Sequence, residues 1–358
     1  MKQALEILNH QLATKAEELG CLPQEWLNLA HQNCLFKLFV PKSLGGLDYT
    51  LPQVLKIEEE LSNKDGSFGW TITLCAGAAW FAGFLDQDLA KDIFSNSEVC
   101  LAGSGFVGGI ANLKNGEYLI NGSWTYASGA LHATHFTANC QLFEDDIPVL
   151  DENGEITIKA FILKKEEVEI LDGWSYMGMV ATGSHAFKID NKIVPFNRSF
   201  EIVPEKAILK DPVYQYPFLQ LAEATLVVNV LGITRHFLAL VDECFRIRNQ
   251  KREYDVKHLQ YFEELLRAHQ QYIFNSKKAF YDKVDQSWAE LLKTGEICNH
   301  TLKEVSQASR DLAVICRKAA AELHPFSGLE AAKKHTEINR VWRDMNTVSQ
   351  HALLIFPF

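Results

Sequence analysis

The stretch 102–109, AGSGFVGG, decides between two folds, because Gly103, Gly105 and Gly108 have the G-x-G-x-x-G spacing of a dinucleotide-binding Rossmann loop. That loop functions only where a helix follows it and an acidic residue lies about 20 positions further on. Here the chain continues GIANLKNGEYLING, which predicts hairpin turns, and no acidic residue occurs from 119 to 143. The glycines therefore indicate a strand-to-loop corner that passes close to neighbouring backbone or to a ligand.

The character of the sequence changes on either side of this stretch, which predicts an α+β chain of three domains. Residues 1–96 and 206–358 carry apolar side chains at helical spacing, whereas residues 97–205 consist of short alternating and β-branched runs. We predict an N-terminal helical domain, a central β domain and a C-terminal antiparallel four-helix bundle. Asn-Gly pairs predict hairpin turns at 115–116, 121–122 and 153–154. The bundle helices are expected near 218–250, 256–293, 299–324 and 330–355.

Composition excludes several classes of partner and site. The formal net charge is -10 and no long run of like charge occurs, which argues against nucleic acid and anionic membranes as partners. The apolar stretch 69–85 is shorter than the roughly 20 residues of a membrane span and predicts a buried helix. The eight cysteines are scattered without a C-x-x-C pair, so we expect reduced structural thiols, no metal site and a cytoplasmic protein.

The strand YLINGSWTYASG presents a notable pattern of side chains. A period of two places Trp124, Tyr126 and Ser128 on one face, so that an aromatic ring and a hydroxyl two positions apart point the same way. A flat heteroaromatic cofactor whose edge needs a hydrogen-bond donor would fit such a face. The alternative is a half-buried strand that packs its aromatic residues into its own barrel. His132 and His135, which follow, are interpreted as barrel residues.

The last predicted helix, INRVWRDMNTVSQH, has a polar and an apolar side. Its polar stripe is either a solvated outer face or part of a site that His351 reaches. At 100 degrees per residue the stripe contains Arg340, Arg343, Asp344, Thr347 and His351.

The order of these features resembles the acyl-CoA dehydrogenase superfamily of flavoproteins. The resemblance is carried by NGSWTYASGALHA, by GWSYMGMVATGSHAFKIDNKIVP, by GITR at 232–235 and by the last helix. It covers essentially the whole chain and implies a helical domain, a central β barrel and a four-helix bundle. It also implies a flavin, FMN or FAD, against the barrel, and a homo-oligomer, tetramer or dimer, in which a neighbour completes each flavin site.

The resemblance also implies roles for individual residues. Tyr126 and Ser128 fall on the aromatic and hydroxyl positions that contact the flavin ring. The residues expected to bind the cofactor are Gly103, Ser104, Trp124, Tyr126, Ser128, Thr182, Gly183, Ser184 and Arg343. Those expected on the substrate side, with core packing as the alternative, are Trp80, Phe81 and Phe84.

Departures from the dehydrogenase pattern favour one branch of the superfamily. In acyl-CoA dehydrogenases the catalytic glutamate occupies one of two positions, and these correspond to Ala352 and Ala222 in this sequence. Glu223 is adjacent to the second position. The T-E-x-x-A-G-S-D loop is missing, and so is the Arg-x-x-Phe-Gly segment that binds the FAD pyrophosphate, which favours FMN or weakly held FAD. In lacking these motifs, the sequence resembles the oxygenase components of two-component flavin-dependent monooxygenases. Those enzymes act on compounds such as hydroxyphenylacetate or dibenzothiophene and receive reduced flavin from a separate reductase.

In this interpretation the protein oxidises a small aromatic or heteroatom-containing metabolite. His351 would exchange a proton with the substrate or the departing oxygen, because the pKa of histidine lies near neutrality. Ser128 would hydrogen-bond the flavin near its N5 atom. One alternative is an acyl-CoA dehydrogenase with a relocated base such as Glu223, and a second is a non-catalytic member of the family.

Overall fold

The computed structural model describes residues 3–356, and its N-terminal part is helical. Its helices are α1 (His10–Leu19), α2 (Gln24–Gln32), α3 (Leu51–Lys64), α4 (Gly66–Ala79) and α5 (Gln87–Phe94). The carboxylate of Asp65 caps α4 by accepting a hydrogen bond from the backbone N–H of Phe68 at 2.9 Å. Helix α4 is almost entirely buried, which confirms the buried helix expected in the apolar stretch 69–85.

The central part is one eight-stranded sheet. Its strands are β1 (Leu101–Lys114), β2 (Glu117–Ala127), β3 (His135–Glu144), β4 (Ile147–Pro148), β5 (Ile158–Lys164), β6 (Glu169–Leu171), β7 (His185–Pro195) and β8 (Ser199–Phe200). The strand order is β6-β7-β2-β1-β3-β5-β8, with β4 paired to β3. All ladders are antiparallel except β1 with β3, which is parallel.

Aromatic contacts show that this sheet is curled. The rings of Phe136 on β3 and Phe187 on β7 lie 4.9 Å apart, and those of Tyr118 on β2 and Phe161 on β5 also lie 4.9 Å apart. Each pair is separated by two intervening strands, which in a flat sheet would hold the rings about 14 Å apart. The sheet therefore wraps around its own aromatic core, as expected for a β barrel.

The Asn-Gly predictions have mixed outcomes. Asn115 and Gly116 form the tight turn between β1 and β2 with positive φ values of 53° and 83°, and Gly154 lies in a turn with φ 83°. The prediction at 121–122 is wrong, because this pair lies inside β2. A side chain on Gly122 would place its Cβ 2.5 Å from the Cα of Gly109 on β1, so this glycine permits a close backbone approach.

The stretch 102–109 does not form the strand-to-loop corner that its glycines were expected to indicate. Strand β1 runs through the whole of residues 102–109, and its register against β3 shifts between Ser104 and Gly109. No helix begins there, so the exclusion of a Rossmann loop is confirmed.

The C-terminal part is helical again. Its helices are α6 (Pro212–Gln215), α7 (Phe218–Arg252), α8 (Val256–Thr294), α9 (Asn299–Leu323) and α10 (Glu337–Val348). The first three predicted bundle helices are confirmed within about two residues, and the fourth is shorter because a 3-10 segment occupies 324–332. Helix α7 is apolar enough to cross a membrane, but 78% of its most apolar window is buried within the protein.

The change from helix to strand occurs between Phe94 and Leu101, and the return to helix between Phe200 and Pro212. The domain boundaries placed at 96 and 205 remain predictions.

Candidate functional site

The turn that follows β2 carries a chain of hydroxyl groups. Ser128 is 4% exposed, and its Oγ lies 2.8 Å from the Oγ of Ser184, which in turn lies 2.7 Å from the Oγ1 of Thr182. The backbone N–H of Gly129 donates to the carbonyl of Thr182 at 2.8 Å, which fixes the two segments to each other. The structure thus brings together Ser128, Thr182 and Ser184, with Gly183 between the latter two.

The hydrogen-bond partners at the two ends of this series of hydroxyl groups determine which hydroxyl donates and which accepts. Thr182 donates its only hydroxyl proton to the carbonyl of Met179 at 2.7 Å, so it must accept from Ser184. Ser184 therefore accepts from Ser128. At the other end, the indole N–H of Trp70 donates to the Oγ of Ser128 at 3.2 Å. A ligand that offered an acceptor to Ser128 would need to break only the bond to Ser184.

Tyr126 lies on a β-bulge at the end of β2. Trp124 pairs with Phe187 and Ala127 with His185, so β2 has one residue more than β7 over this interval, and Tyr126 adopts a positive φ of 65°. Its side chain is 58% exposed. The expected shared face of Trp124 and Tyr126 is therefore corrected, because the extra residue reverses the alternation of inward and outward side chains.

Trp124 lies in the core of the sheet. It is fully buried, stacks on Phe187 at 5.1 Å, and donates its indole N–H to the carbonyl of Asn139 at 2.9 Å. Its predicted contact with a cofactor is corrected by this placement, because the indole has no free surface in the folded chain.

An aromatic group surrounds the exposed ring of Tyr126. Its hydroxyl lies 3.2 Å from that of Tyr176, and the rings of Trp174 and Tyr176 stack at 4.2 Å. The indole N–H of Trp174 donates to the carbonyl of Met179 at 2.8 Å, the same carbonyl that ends the hydroxyl chain. The aromatic group and the hydroxyl chain are therefore anchored at one backbone position.

Helix α10 holds this segment in place. Arg343 donates to the carbonyl of Met177 at 2.5 Å and pairs with Glu17, and the carboxylate of Asp344 accepts a hydrogen bond from the N–H of Met179 at 2.5 Å. Arg343 thus contacts the loop that carries Met177, and its expected role at the cofactor remains a prediction. Burial, with Asp65 nearby, raises the pKa of Asp344 to about 7.

The polar stripe of the last helix is not a solvated face. Arg340 and Asp344 are buried, and the guanidinium of Arg340 lies 2.9 Å from the Nδ1 of His10. A water-sized cavity of about 10 Å³ adjoins this cluster, lined in part by Asp65, Arg340 and Asp344.

His351 lies beyond the helix that was expected to carry it. Helix α10 ends at Val348, and His351 is the cap of the following short 3-10 turn, accepting at Nδ1 from the N–H of Leu353 at 3.4 Å. Burial lowers the pKa of His351, so the ring is neutral at pH 7 and carries its proton on Nε2. Its ring lies 6.0 Å from that of Trp70.

Trp70 is therefore the link that the sequence analysis missed. It contacts both Ser128, at the end of the central strand β2, and His351, in the C-terminal segment. Its sequence context, an apolar helix, is the same as that of the core residue Trp80, so spacing alone gives no signal for it.

The residues expected to line the substrate side lie elsewhere. Trp80 is ten residues after Trp70, which corresponds to about 15 Å along a helix. Trp80 and Phe81 pack against Phe218, and Phe84 packs against Trp80, all in the buried core. The prediction of Trp80, Phe81 and Phe84 as a substrate surface is corrected in favour of the alternative, core packing.

Gly103 and Ser104 lie on β1 beside β3. A Cβ on Gly103 would come within 1.9 Å of the Oγ1 of Thr137, so glycine is required by packing against the neighbouring strand. The Oγ of Ser104 accepts from the N–H of Phe106 at 3.2 Å in a local turn of the irregular strand. The cofactor contacts expected of both remain predictions.

Glu223, the alternative base, is already paired. It is buried between α7 and α9, where Arg310 contacts its carboxylate at 2.6 Å and Ser306 donates a further hydrogen bond. Burial raises its pKa, and the contacts with Ser306 and Arg310 oppose that rise. Among residues 3–356, the side chains of Tyr126, Ser128 and His351 have no carboxylate as a hydrogen-bond partner.

Comparison with known proteins agrees with this architecture. Residues 224–356 match the family described as acyl-CoA dehydrogenase, C-terminal domain. The chain is 23% identical to an indole-3-acetate monooxygenase of Acinetobacter baumannii, over 98% of this chain and 88% of that protein. It is 22% identical to the flavin-dependent monooxygenase oxygenase subunit HsaA of Rhodococcus jostii, over 95% of this chain and 90% of that protein.

Solved structures show the same fold. The 3-HSA hydroxylase from Rhodococcus sp. RHA1 superposes with a TM-score of 0.89 at 20% identity, covering 99% of this chain and 92% of that one. XiaF from Streptomyces sp., solved in complex with FADH2 and glycerol, superposes with a TM-score of 0.81 at 20% identity over 99% and 92%. Residues 224–356 thus match the acyl-CoA dehydrogenase C-terminal domain, and the chain as a whole resembles the oxygenase components of two-component flavin-dependent monooxygenases.

Proposed function

We propose that this protein is an oxygenase component that uses reduced flavin and molecular oxygen to oxidise a small organic substrate. The observation that carries the proposal is the shared contact of Ser128 and His351 with Trp70, close to the exposed aromatic group around Tyr126. Among residues 3–356, the Ser128 hydroxyl, the His351 imidazole and the Tyr126 hydroxyl have no carboxylate as a hydrogen-bond partner. The names of the relatives support the same reaction class, because one is an indole-3-acetate monooxygenase and the other the oxygenase subunit of a flavin-dependent monooxygenase.

The residues present fit a flavin. The exposed ring of Tyr126 and the stacked pair Trp174 and Tyr176 offer flat surfaces to a tricyclic ring. The hydroxyl of Ser128 can turn from Ser184 toward an acceptor on the edge of that ring. A bound reduced flavin supplies the electrons that activate oxygen. FMN and FAD share the ring, and both are included in the test below.

Ser128 has a positioning partner in Trp70. The indole N–H occupies one lone pair of the Ser128 hydroxyl, so the hydroxyl proton can point only away from α4. This restriction fixes the donor in the direction of Ser184 or of a ligand that replaces it. Preorganisation of this kind lowers the cost of orienting the hydroxyl during the reaction.

His351 supplies a neutral imidazole, because burial lowers its pKa. The N–H of Leu353 occupies Nδ1, so the neutral ring presents an Nε2–H donor. A hydrogen bond donated from Nε2–H to an oxygen of the reacting group, or uptake of a substrate proton at the other ring nitrogen after the ring turns, are the two roles that this tautomer allows. The neighbouring ring of Trp70 excludes water from one side of the imidazole.

The dehydrogenase alternative is disfavoured by the position of Glu223. A base that abstracts a carbon-bound proton needs a free carboxylate, whereas Glu223 is held by Arg310 and Ser306 inside the bundle. The non-catalytic alternative predicts that neither oxidised nor reduced flavin binds.

A second copy of the chain and a flavin reductase are the proposed partners, and the proposed location is the cytoplasm. Helix α8 leaves large apolar side chains more than half exposed, which is typical of a surface that another subunit covers. These are Val256, Tyr261, Tyr272, Phe274 and Leu292. Light scattering during gel filtration tests the oligomer, and a mass near 40.5 kDa, that of one chain, would contradict it.

The decisive experiment separates binding from turnover. The protein is titrated anaerobically with reduced FMN and reduced FAD, then mixed with oxygen and a panel of phenols, indoles and sulfur heterocycles, and product and hydrogen peroxide are measured. Incorporation of labelled oxygen into one compound supports the proposal. Desaturation of an acyl-CoA with an artificial electron acceptor would favour the dehydrogenase instead, and absence of flavin binding would favour the non-catalytic member.

A further inference from the structure

Three side chains with soft or borderline metal-binding atoms converge beneath the Ser128 turn. Cys75 belongs to α4, Cys100 immediately precedes β1, and His132 lies in the turn between β2 and β3. Their two Sγ atoms and one imidazole nitrogen lie within 4.8 Å of one another. Both thiols are buried and unpaired by any disulfide.

The imidazole of His132 has no partner of its own. Both ring nitrogens are buried, and neither has a hydrogen-bond partner among residues 3–356. Buried polar atoms in folded proteins almost always have a hydrogen-bond partner, so the unpaired imidazole of His132 is a candidate for binding a ligand. Burial also lowers the pKa of His132 to about 3, which keeps a lone pair available.

The atoms point at a common space. A Cβ built on Gly129 would lie 2.9 Å from the Sγ of Cys75 and 3.0 Å from the Nε2 of His132, so thiol and imidazole approach the same point from two sides. Glycine at this position, with a positive φ of 79°, leaves that space free of a side chain. The carbonyl of Ser128 adjoins it, 3.6 Å from the Sγ of Cys75.

We propose that Cys75, Cys100 and His132 bind one d10 cation, Zn(II) or Cu(I), that ties helix α4 to the two segments flanking the Ser128 turn. Two thiolates and a neutral imidazole form a ligand set that suits both ions, Cu(I) with three ligands and Zn(II) with a fourth oxygen ligand. Binding releases the two thiol protons to solvent and involves no change of oxidation state.

The charge around the cluster is compatible with this chemistry. Two thiolates with Zn(II) form a neutral centre, whereas two thiolates with Cu(I) carry one negative charge. The positive charge of Lys165 acts on both Cys100 and His132, and its amine is anchored to the carbonyl of Leu131 at 2.7 Å. Burial raises the pKa of the Cys100 thiol well above its usual value and the charge of Lys165 only opposes that rise, so the bound cation must itself displace the thiol protons. The same charge of Lys165 offsets the negative charge of the Cu(I) site.

The inference is independent of the proposed oxygenase reaction. Cys75 and Cys100 are 25 residues apart, and Cys100 and His132 are 32 residues apart. The sequence therefore lacks the C-x-x-C spacing from which a metal site could be predicted. A bound ion would fix the backbone of the turn that carries Ser128, and its loss would loosen that turn first.

The test measures metal directly on the full chain. Protein purified under reducing conditions is analysed for zinc and copper by mass spectrometry, then stripped with a chelator and titrated anaerobically with Co(II). We expect one equivalent per chain and a thiolate-to-cobalt charge-transfer band that Zn(II) abolishes. Competition with a Cu(I)-specific chelator distinguishes copper from zinc. Wild-type protein that shows neither metal nor the cobalt band overturns the proposal.

Variants separate this cluster from the other thiols. Cys100→Ser and His132→Gln should each lose the cobalt band and most of the metal, whereas Cys140→Ser, which removes a buried thiol elsewhere in the sheet, should keep both. If a ligand variant fails to fold, the thermal midpoint of the wild type serves instead, because added Zn(II) should raise it if the folded state binds the ion. Undiminished metal uptake by both ligand variants, or a Cys75–Cys100 disulfide with no uptake after reduction, overturns the site.

Discussion

The indole N–H of Trp70 donates a hydrogen bond to the hydroxyl of Ser128 at 3.2 Å, and the same indole lies 6.0 Å from the ring of His351. This contact joins the N-terminal helices, the end of the barrel and the C-terminal segment at one point. The proposed chemistry depends on that meeting, because Ser128 and His351 have no direct hydrogen bond to each other among residues 3–356.

Ser128→Ala should uncouple the oxidation of reduced flavin from the oxidation of the substrate. Of the three linked hydroxyl groups of Ser128, Ser184 and Thr182, the variant loses the one proposed to turn toward a ligand. We therefore expect hydrogen peroxide per reduced flavin to rise several-fold while flavin affinity falls by less than about tenfold. Peroxide and product are measured after single-turnover mixing with oxygen. Ser199→Ala, on strand β8, is the matched control and should behave as the wild type. An unchanged peroxide yield in Ser128→Ala would remove Ser128 from the mechanism.

Trp70→Phe tests the positioning role of the indole nitrogen. Phenylalanine keeps an aromatic ring beside His351 but removes the N–H, so the effect should be smaller than that of Ser128→Ala and correspond to about 1 kcal/mol. The measured quantity is product yield per reduced flavin in both single variants and in the double variant. Because both changes act on one hydrogen bond, the double variant should be no worse than Ser128→Ala alone. Strict additivity of the two effects would contradict the coupling.

His351→Ala should slow substrate oxidation by roughly 100-fold or more, because general acid–base groups contribute about 10²–10⁴. Binding of reduced flavin, measured anaerobically by fluorescence, should stay close to that of the wild type. His300→Ala, at an exposed position in α9, controls for loss of a histidine. Wild-type turnover in His351→Ala would exclude the imidazole from the reaction.

The pH profile should reflect the burial of His351. Because burial lowers its pKa, the ring stays neutral below the ordinary histidine value of about 6.5, and the acidic limb of kcat should lie below that value. The unfolded state takes up the proton first, so the contribution of His351 to stability is complete above about pH 6.5 and is lost as the pH falls toward its folded pKa. Rate and urea-unfolding profiles of the wild type and His351→Gln provide the comparison. An acidic limb above pH 6.5 in the wild type, absent from the variant, would contradict the direction of the shift.

Glu223→Gln should lower the free energy of unfolding without changing the oxidation of the substrate. The substitution leaves the guanidinium of Arg310 without its buried carboxylate, which costs about 3 kcal/mol in the free energy of unfolding. Oxygenation per folded molecule should be unchanged. Urea unfolding and single-turnover product yield measure the two effects, and Arg310→Met together with Glu223→Gln should recover part of the stability. A stable Glu223→Gln variant that has lost all oxidation would instead favour Glu223 as a base.

Local signals in the sequence predicted several features that the structure confirms. The hairpin turn at Asn115–Gly116 depends only on residues within one turn of each other. The long helices follow from apolar periodicity, and the missing glutamate is visible at Ala352 because a motif position is a matter of counting.

Other features were decided by the tertiary structure. The face of Tyr126 depends on a register shift between β2 and β7, and a period-two reading of one strand contains no information about its partner's bulge. Trp70 and Ser128 are 58 residues apart, so their contact exists only once α4 packs against the end of the barrel. Trp70 and Trp80 share one apolar sequence context, and only the packing of α4 and of the short 3-10 segment after it assigns one to the site and the other to the core. Sequence alone therefore determined which elements form and which base is absent, while packing decided which side chains meet, because contacts between distant segments depend on register and helix docking that no local pattern encodes.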